Sequence, residues 1–441
     1  MAEQLKQLIN GIEAGREQFA RLTEKNDASQ LFVYSEKHVY DTLFNESELA
    51  LGDNVNYMLW LLENGYAGKF KLIYIDPPFF TKAKYNATVG VHDASGTARK
   101  VHHLAYDDTF ERSLEFYIEN MTLRLLLMKD LLSDDGLMWI HLDWHSSHYV
   151  KLLLDELMGE KNFVNEIIWS YKSGGSGKRH FSKKHDTILV YSKTGKYYID
   201  VPEEKSYNRG FKPYNFKGVK EYQDEQGWYT LVNMKDVWNI DMVGRTSKER
   251  TGYATQKPLE LMRRIIKSSS EMGDLVGDFF CGSGSFLEAA EDMRRRWVGC
   301  DNEELATAMA KKRLDLIEAN YTYRSETERP LRQGRVVASI NQEEELQNGK
   351  KMFSCSIGAF DPDIEIGYIQ LNDRKYVEDA LASNTLQFVD YVMIDPDYNG
   401  KFSCEIVVED GFDDIKFLSH GNAALVVVDV LGKEYFTTIE G

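Results

Sequence analysis

Asp278-Phe-Phe-Cys-Gly282-Ser-Gly284-Ser285 is the stretch whose reading decides the fold. Before it, Asp274-Leu-Val-Gly277 is short, apolar and rich in β-formers; after it, Phe286 to Arg295 repeats apolar residues at helical spacing. The pattern is strand, glycine turn, helix. Glycines there let backbone approach a ligand closely, and a helix start offers free N–H groups. Trp297-Val-Gly-Cys300 reads as the next strand and ends at Asp301, about twenty residues on, where a ribose hydroxyl pair would be held. A helix over Glu303 to Asn320 follows. Alone, the turn leaves readings open. Nicotinamide enzymes use such turns, although the third glycine of GxGxxG is Leu287 here. A plain helix–strand packing turn would look the same.

Upstream, Lys71-Leu-Ile-Tyr-Ile75 reads as a buried strand that stops at Asp76-Pro77-Pro78-Phe79. Two prolines end strand and helix alike, which makes a rigid loop at a strand's C-terminal end. Helical spacing runs from Leu114 to Leu132, Leu137 to Leu142 is another strand, and helices follow over Tyr149 to Met158 and Leu259 to Ser269. Helices alternating with apolar strands on both sides of residue 165 predict a doubly wound, Rossmann-like α/β sheet. Residues 1–30 read as an amphipathic helix and linker, and the polar 80–110 as a mobile excursion. The segment 161–250 interrupts the sheet with short aromatic strands (Ile167 to Tyr171, Thr187 to Tyr191, Trp228 to Val232) between Gly/Lys-rich loops. Residues 331–441 change texture, toward Val/Ile/Tyr runs and turns, and read as a mostly β C-terminal domain. The two halves of the predicted sheet are therefore 31–160 and 251–330.

Charge follows the same divisions. The 441-residue chain carries −17, but residues 341–441 hold 7 basic and 20 acidic residues, whereas 170–250 hold 16 basic and 10 acidic. Salt screens fields beyond about 8–10 Å, so the basic segment acts locally despite the total. No apolar run reaches the roughly 18 residues of a membrane span, and the N-terminus lacks an apolar signal core. Cys281, Cys300, Cys355 and Cys404 are far apart, with no CxxC pair. The expectation is a reduced, cytoplasmic chain.

Asp76-Pro-Pro-Phe79 suits one task. The Asp76 carboxylate and the Pro77 carbonyl accept hydrogen bonds from an exocyclic amine, and Phe79 stacks on a flipped base. A proline-stiffened turn is the plain alternative. Taken together, Ile75-Asp-Pro-Pro-Phe79 and Asp278-Phe-Phe-Cys-Gly-Ser-Gly284 resemble the amino-methyltransferases of DNA. The catalytic motif comes first, by 202 residues, with a basic segment between, and that order resembles the beta group. Supporting matches are Leu51-Gly-Asp53-Asn54, His141-Leu-Asp143 and Thr255-Gln-Lys-Pro258. The likeness covers roughly residues 30–320 and resembles most the modification subunits of type III restriction–modification systems and their solitary relatives.

The resemblance implies S-adenosyl-L-methionine as methyl donor, with no metal. Asp278, Phe280, Gly282 and Gly284 would line its methionine end, Asp301 the ribose, Asp53 the adenine edge, and Gln256 and Lys257 the carboxylate side. Asp76, Pro77, Pro78 and Phe79 would be catalytic. Residues 161–250 occupy the target-recognition position, with Lys172, Lys178, Arg179, Lys183 and Lys184 expected on double-stranded DNA. The family's last motif residue is usually Tyr; Phe79 keeps the stacking face and is more typical of adenine than of cytosine methylation. N6-adenine is thus the expected target and N4-cytosine the alternative. A homodimer, a restriction-complex subunit, and a non-catalytic specificity subunit stay open.

Other signals weigh less. His141, Asp143, His145 and His148 straddle a strand end and a helix start, so their side chains need not converge on a metal, and Asp143 or Ser146 suits a helix N-cap. Gly175-Ser-Gly-Lys178 lacks the leading Gly and trailing Ser/Thr of a phosphate loop. Asp395-Pro-Asp-Tyr398 echoes the catalytic motif but runs into an Asn-Gly turn, which predicts a hairpin. Tyr171, Tyr214, Tyr222, Trp228 and Trp238 are mostly expected in a small core, with one or two at DNA. The acidic tail is expected to face solvent or another protein.

Overall fold

The computed structural model describes residues 2–24, 31–40, 47–80, 84–92, 98–107, 113–172, 179–244, 246–253, 255–327, 332–333, 335–345 and 350–440. Its first half places α1 (Ala2–Glu24), β1 (Tyr34–His38), β2 (Ser47–Leu51), α2 (Asn54–Glu63) and β3 (Phe70–Ile75). A hairpin of β4 (Lys84–His92) and β5 (Ala98–Asp107) precedes α3 (Leu114–Leu131), β6 (Leu132–Leu142) and α4 (Ser147–Leu154). Then come β7 (Phe163–Ser170), β8 (His185–Ser192), β9 (Glu203–Tyr207), β10 (Glu221–Gln223), β11 (Trp228–Asn233) and β12 (Val237–Asn239). The second half contributes α5 (Leu259–Ser269), β13 (Leu275–Asp278), α6 (Ser285–Asp292), β14 (Arg296–Asp301), α7 (Glu304–Leu316) and β15 (Tyr321–Ser325).

One eleven-stranded sheet runs β12-β7-β8-β6-β3-β13-β14-β2-β15-β1, closed at its edge by Ser403–Cys404. The six strands from β6 to β15 in that order are parallel. Helices cover both faces, as parallel strands require. The parity of β3 shows how. Ile73 and Ile75 pack into the layer of α2, α3 and α4, while Leu72 and Tyr74 pack into the layer of α5, α6 and α7. Both faces are buried, so the strand reads as an unbroken apolar run. The first layer is thickened by α1, which meets α3 through Gly11 and Gly15. A Cβ there would sit 2.5 Å from Glu115 O and from Thr122 Cβ respectively, so only glycine permits this approach.

The 161–250 segment divides in two. β7, β8 and β12 extend the main sheet, and only β9, β10 and β11 form a separate three-stranded sheet. Residues 84–92 and 98–107 are not an excursion but an antiparallel hairpin, with one register shift between Tyr85 and Asn86. Ala87, Val89, Val91 and Val101 alternate toward one face and share a core with Val336, Ile357, Ile369 and Ile394 of the C-terminal region. That region is mostly β, as its texture predicts: a five-stranded and a three-stranded sheet, with one helix, α8 (Leu371–Ser383). Asp395-Pro-Asp-Tyr398 leads out of the strand Val389–Asp395, which pairs antiparallel with Ile406–Val408.

Some of the C-terminal acid is spent inside the molecule rather than at solvent. Lys311 and Lys312 of α7 pair with Glu434 (2.7 Å) and Asp390 (2.8 Å) of the C-terminal region. Lys311 also pairs with Glu36 of β1, and these three side chains are almost wholly buried. His38 lies between Glu36 (3.1 Å) and Asp315 (2.7 Å). Burial opposes its charged form, but the Asp315 carboxylate holds it well above the ordinary histidine range.

Candidate active site

β3 and β13 are neighbours, but the chain leaves them in opposite directions. β3 passes through α3 to β6 on one side; β13 passes through α6 to β14 on the other. Such a switch point opens a crevice at the carboxyl ends of the strands. Asp76-Pro-Pro-Phe79 enters it from β3, the 278–285 turn from β13, Asp301 from β14 and the loop before α5 from behind. Asp76, Pro77, Pro78, Phe79, Gln256, Lys257, Asp278, Phe280, Gly282 and Asp301 all line this one cavity.

The glycine turn is built for close approach. Gly282 has φ +50° and Gly284 φ +77°. Gly284 caps α6 below the cavity, where a Cβ would lie 2.9 Å from Ala310 Cβ. Asp278 accepts from Phe280 N at 3.0 Å, and Asp301 accepts from Gly282 N at 2.9 Å and Glu303 N at 3.0 Å. Burial raises both carboxyls, and Asp278 is raised further by the facing Asp76 and Asp301. Ser285 Oγ, at the first residue of α6, is buried without a hydrogen-bond partner.

Lys257 Nζ donates to Asp76 Oδ2. Asp76 Oδ1 is buried and has no donor. Lys257 thus faces the Asp76-Pro-Pro-Phe79 loop as well as the cavity, with Nζ 5.8 Å from the Phe79 ring centre. Gln256 is fully engaged with its own loop: Oε1 accepts from Thr251 N (2.9 Å) and Oγ1 (3.0 Å), and Nε2 donates to Glu249 O. Behind Phe79 lies His141, stacked on it at 6.1 Å. His141 is fixed by Tyr74 OH (3.0 Å) and Asp186 (3.2 Å), and Tyr171 also donates to Asp186. The motif residue His141 therefore supports Phe79, a role its sequence did not declare.

A second cavity adjoins across Phe280, Asp301 and Asn302 and contains Asp53. Asp53 is the N-cap of α2, accepting from Val55 N at 2.8 Å. Arg124 of α3 reaches Asp53 (3.5 Å) and Asn54 (2.8 Å), and Asn54 donates to Phe279 O (2.8 Å). Arg124, Tyr117 and Phe80 were invisible as site residues, because nothing in a helical repeat or a loop marks which side chain will reach a distant strand end. Phe80 sits at φ +62°, a strained conformation for a large side chain.

The basic loop between β7 and β8 leaves from the same edge. β8 is antiparallel to both β6 and β7, so β7 runs with β6 and β3. Lys172 is exposed and lies 3.4 Å from Asp241; Arg179 and Lys183 are exposed and Lys184 half-buried. Lys178 lies outside the described residues. Of the aromatic candidates, Trp238 is buried against Trp139, Tyr222 stacks on Tyr229, and Tyr214 is partly exposed. Asp143 accepts from His145 N at 2.8 Å, whereas Ser146, the N-cap of α4, makes no side-chain cap bond. Among the described residues no group of three or more His, Cys, Asp or Glu could hold a metal, and no helix is long and apolar enough to cross a membrane.

A doubly wound sheet that brings a glycine turn and the Asp76-Pro-Pro-Phe79 loop to one switch point defines an α/β protein with a ligand crevice at its strand ends. The profile of a family described as DNA methylase matches residues 70–312, more than half of the chain, and the chain belongs to that family. It is 29% identical over 376 residues to the type II methyltransferase M.EcaI of Enterobacter cloacae, covering 70% of this chain and 80% of that one. It is 31% identical over 157 residues to the EcoP15I Mod subunit of a type III restriction-modification enzyme of Escherichia coli, covering 33% of this chain and 24% of that one. Among solved structures it is similar to the PvuII cytosine-N4-specific DNA methyltransferase, with TM-score 0.42, 16% identity, and coverage of 63% of this chain and 89% of that one.

Proposed function

We propose that this DNA methyltransferase moves a methyl group from S-adenosyl-L-methionine to N6 of an adenine flipped out of duplex DNA. The observation that carries the reading is the state of Asp76, which lines a cavity shared with the glycine turn: Oδ2 is held by Lys257 while Oδ1 is buried and unpartnered. A buried acceptor without a donor is costly unless a ligand supplies one. An exocyclic amine is such a donor.

The donor site fits a cationic ligand. Asp76, Asp278 and Asp301 line the cavity, and Ser285 Oγ at the α6 start is an unused buried polar group. When bound, S-adenosyl-L-methionine supplies an electrophilic methyl group on a sulfonium. The chain's own part is positioning. Asp76 Oδ1 and the Pro77 carbonyl accept the two amine hydrogens, which favours a pyramidal nitrogen with its lone pair free. Phe79, backed by His141, stacks on the base. Lys257 holds Asp76 in place. Preorganised acceptors and orientation supply the rate, without a covalent nucleophile. Asp53 and Asp301 are assigned to the adenosyl part, Asp278, Phe280, Gly282 and Gly284 to the methionine part, and Lys172, Arg179, Lys183 and Lys184 to phosphates.

N4-cytosine offers the same amine geometry and is the second reading. Phe79 in place of Tyr favours adenine. The test is to incubate purified protein with labelled S-adenosyl-L-methionine and duplex DNA and identify the modified nucleoside by mass spectrometry. N6-methyldeoxyadenosine supports the proposal; N4-methyldeoxycytidine alone replaces it with the second reading; no label in DNA overturns both.

A further inference from the structure

We infer that Phe181 enters the duplex beside the target and fills the base stack while the target base is out, an inference that rests on the DNA-methylating reading above. Phe181 is 98% exposed, the most exposed large apolar side chain among the described residues. Its ring makes no aromatic or cation contact among the described residues, unlike the exposed Phe211 and Phe216, which lean on Tyr207 of β9 and on Tyr214 respectively.

Its placement is specific. The hairpin loop closes at Ser170 and His185 and leaves the sheet at the edge that carries Asp76. Its returning limb is tied down. Lys183 Nζ lies 3.4 Å over the ring of Trp144, which follows β6, and Lys184 O accepts from Tyr171 N at 3.0 Å. Five residues after Phe181, Asp186 holds His141, the ring stacked behind Phe79. With strands about 4.8 Å apart, β8 lies roughly 10 Å from β3, a few base steps along a duplex.

The chemistry matches that place. Arg179 and Lys183 flank Phe181 and suit phosphates. An apolar side chain pressed between base steps is how a protein unstacks DNA locally. Extruding a base costs stacking, and an aromatic ring of comparable area restores part of it. The solvated phenyl ring, with Arg179 and Lys183 near it in sequence, has no ring partner among the described residues; the opened stack offers one.

The test uses the full chain and an oligonucleotide duplex carrying the site mapped by sequencing DNA that the wild-type protein has methylated. Phe181→Ala should lower kcat/KM roughly ten- to a hundred-fold on the paired duplex, with Phe181→Trp restoring most of it. On a duplex with an abasic site opposite the target, where extrusion is already cheap, the loss should largely vanish. S-adenosyl-L-methionine binding by calorimetry should be unchanged, which excludes misfolding. Wild-type activity of Phe181→Ala on the paired duplex, or an equal loss on both duplexes, overturns the inference. Failure of the underlying reading shows separately, as no methyl transfer by wild type to either duplex.

Discussion

Lys257 Nζ donates to Asp76 Oδ2 across the crevice, so the Thr255-Gln-Lys-Pro258 motif and the Asp76-Pro-Pro-Phe79 motif are joined by one ion pair. The side chains are 11% and 16% exposed. Removing one partner of a mostly buried pair strands the other. Lys257→Met should therefore destabilise the protein by about 2–4 kcal/mol, after allowance for residual solvent. Asp76→Asn in the same background should recover part of that. A double-mutant cycle by denaturant unfolding checks it, and strict additivity of the two changes would count against the pairing.

Asp278 gives a pH signature. Burial first, and then Asp76 and Asp301, raise its carboxyl well above the ordinary range. The folded protein therefore keeps a proton that the unfolded chain has released. Its contribution to stability is full below the unfolded pKa and is lost as pH rises through the shifted one. A cationic ligand prefers the ionised carboxylate, so binding should release a proton and tighten as pH rises through the same range. Calorimetry of S-adenosyl-L-methionine in buffers of different ionisation enthalpy measures the release. Asp278→Asn should reduce it, and proton uptake on binding would have the wrong sign.

Gly284 tests the turn. It combines φ +77° with a Cβ position 2.9 Å from Ala310 Cβ and 3.1 Å from its Cα. Gly284→Ala should cost about 1–3 kcal/mol and weaken donor binding. Gly195 has an ordinary φ and nothing within 4 Å, so Gly195→Ala should change little. Thermal and denaturant unfolding of the two variants should separate them clearly; equal effects would contradict the packing argument.

What the sequence disclosed depended on the range of each signal. β3 and the helix Leu259–Ser269 were legible because periodicity and proline or glycine punctuation are local. The 278–285 turn was legible because close backbone approach demands glycine. About half of the cavity lining followed from the two motifs. The β4–β5 hairpin was not legible: its apolar face is covered by Val336, Ile357 and Ile394, more than two hundred residues away. The same holds for β7, β8 and β12, whose aromatic, basic neighbourhood concealed that they extend the main sheet. His141 gave only a motif match, and its stacking on Phe79 needed three dimensions. The docking of acidic residues onto Lys311 and Lys312 was likewise hidden, since charge counts do not say what faces them.

Lys311 is the centre of that docking. It is 1% exposed and serves both Glu36 and Glu434. Lys311→Met removes the cation that two buried carboxylates share and should cost about 3–5 kcal/mol. Urea unfolding at neutral pH reads the loss, and a change below about 1 kcal/mol would show that the pair contributes like a surface one.

The rim lysines and arginine predict a salt dependence. If Arg179 and Lys183 each neutralise one phosphate, changing either to Ala should reduce the slope of log K against log salt by about 0.9. Fluorescence anisotropy of labelled duplex across a salt series measures it. An unchanged slope would remove that residue from the DNA interface.

The central claim is that Asp76 presents its free oxygen to the amine that receives the methyl group. The most direct measurement is the single-turnover rate of methyl transfer to duplex DNA by wild type and Asp76→Ala, with both ligands saturating. The account predicts a loss of about a hundred-fold or more. Transfer by Asp76→Ala at the wild-type rate would contradict it.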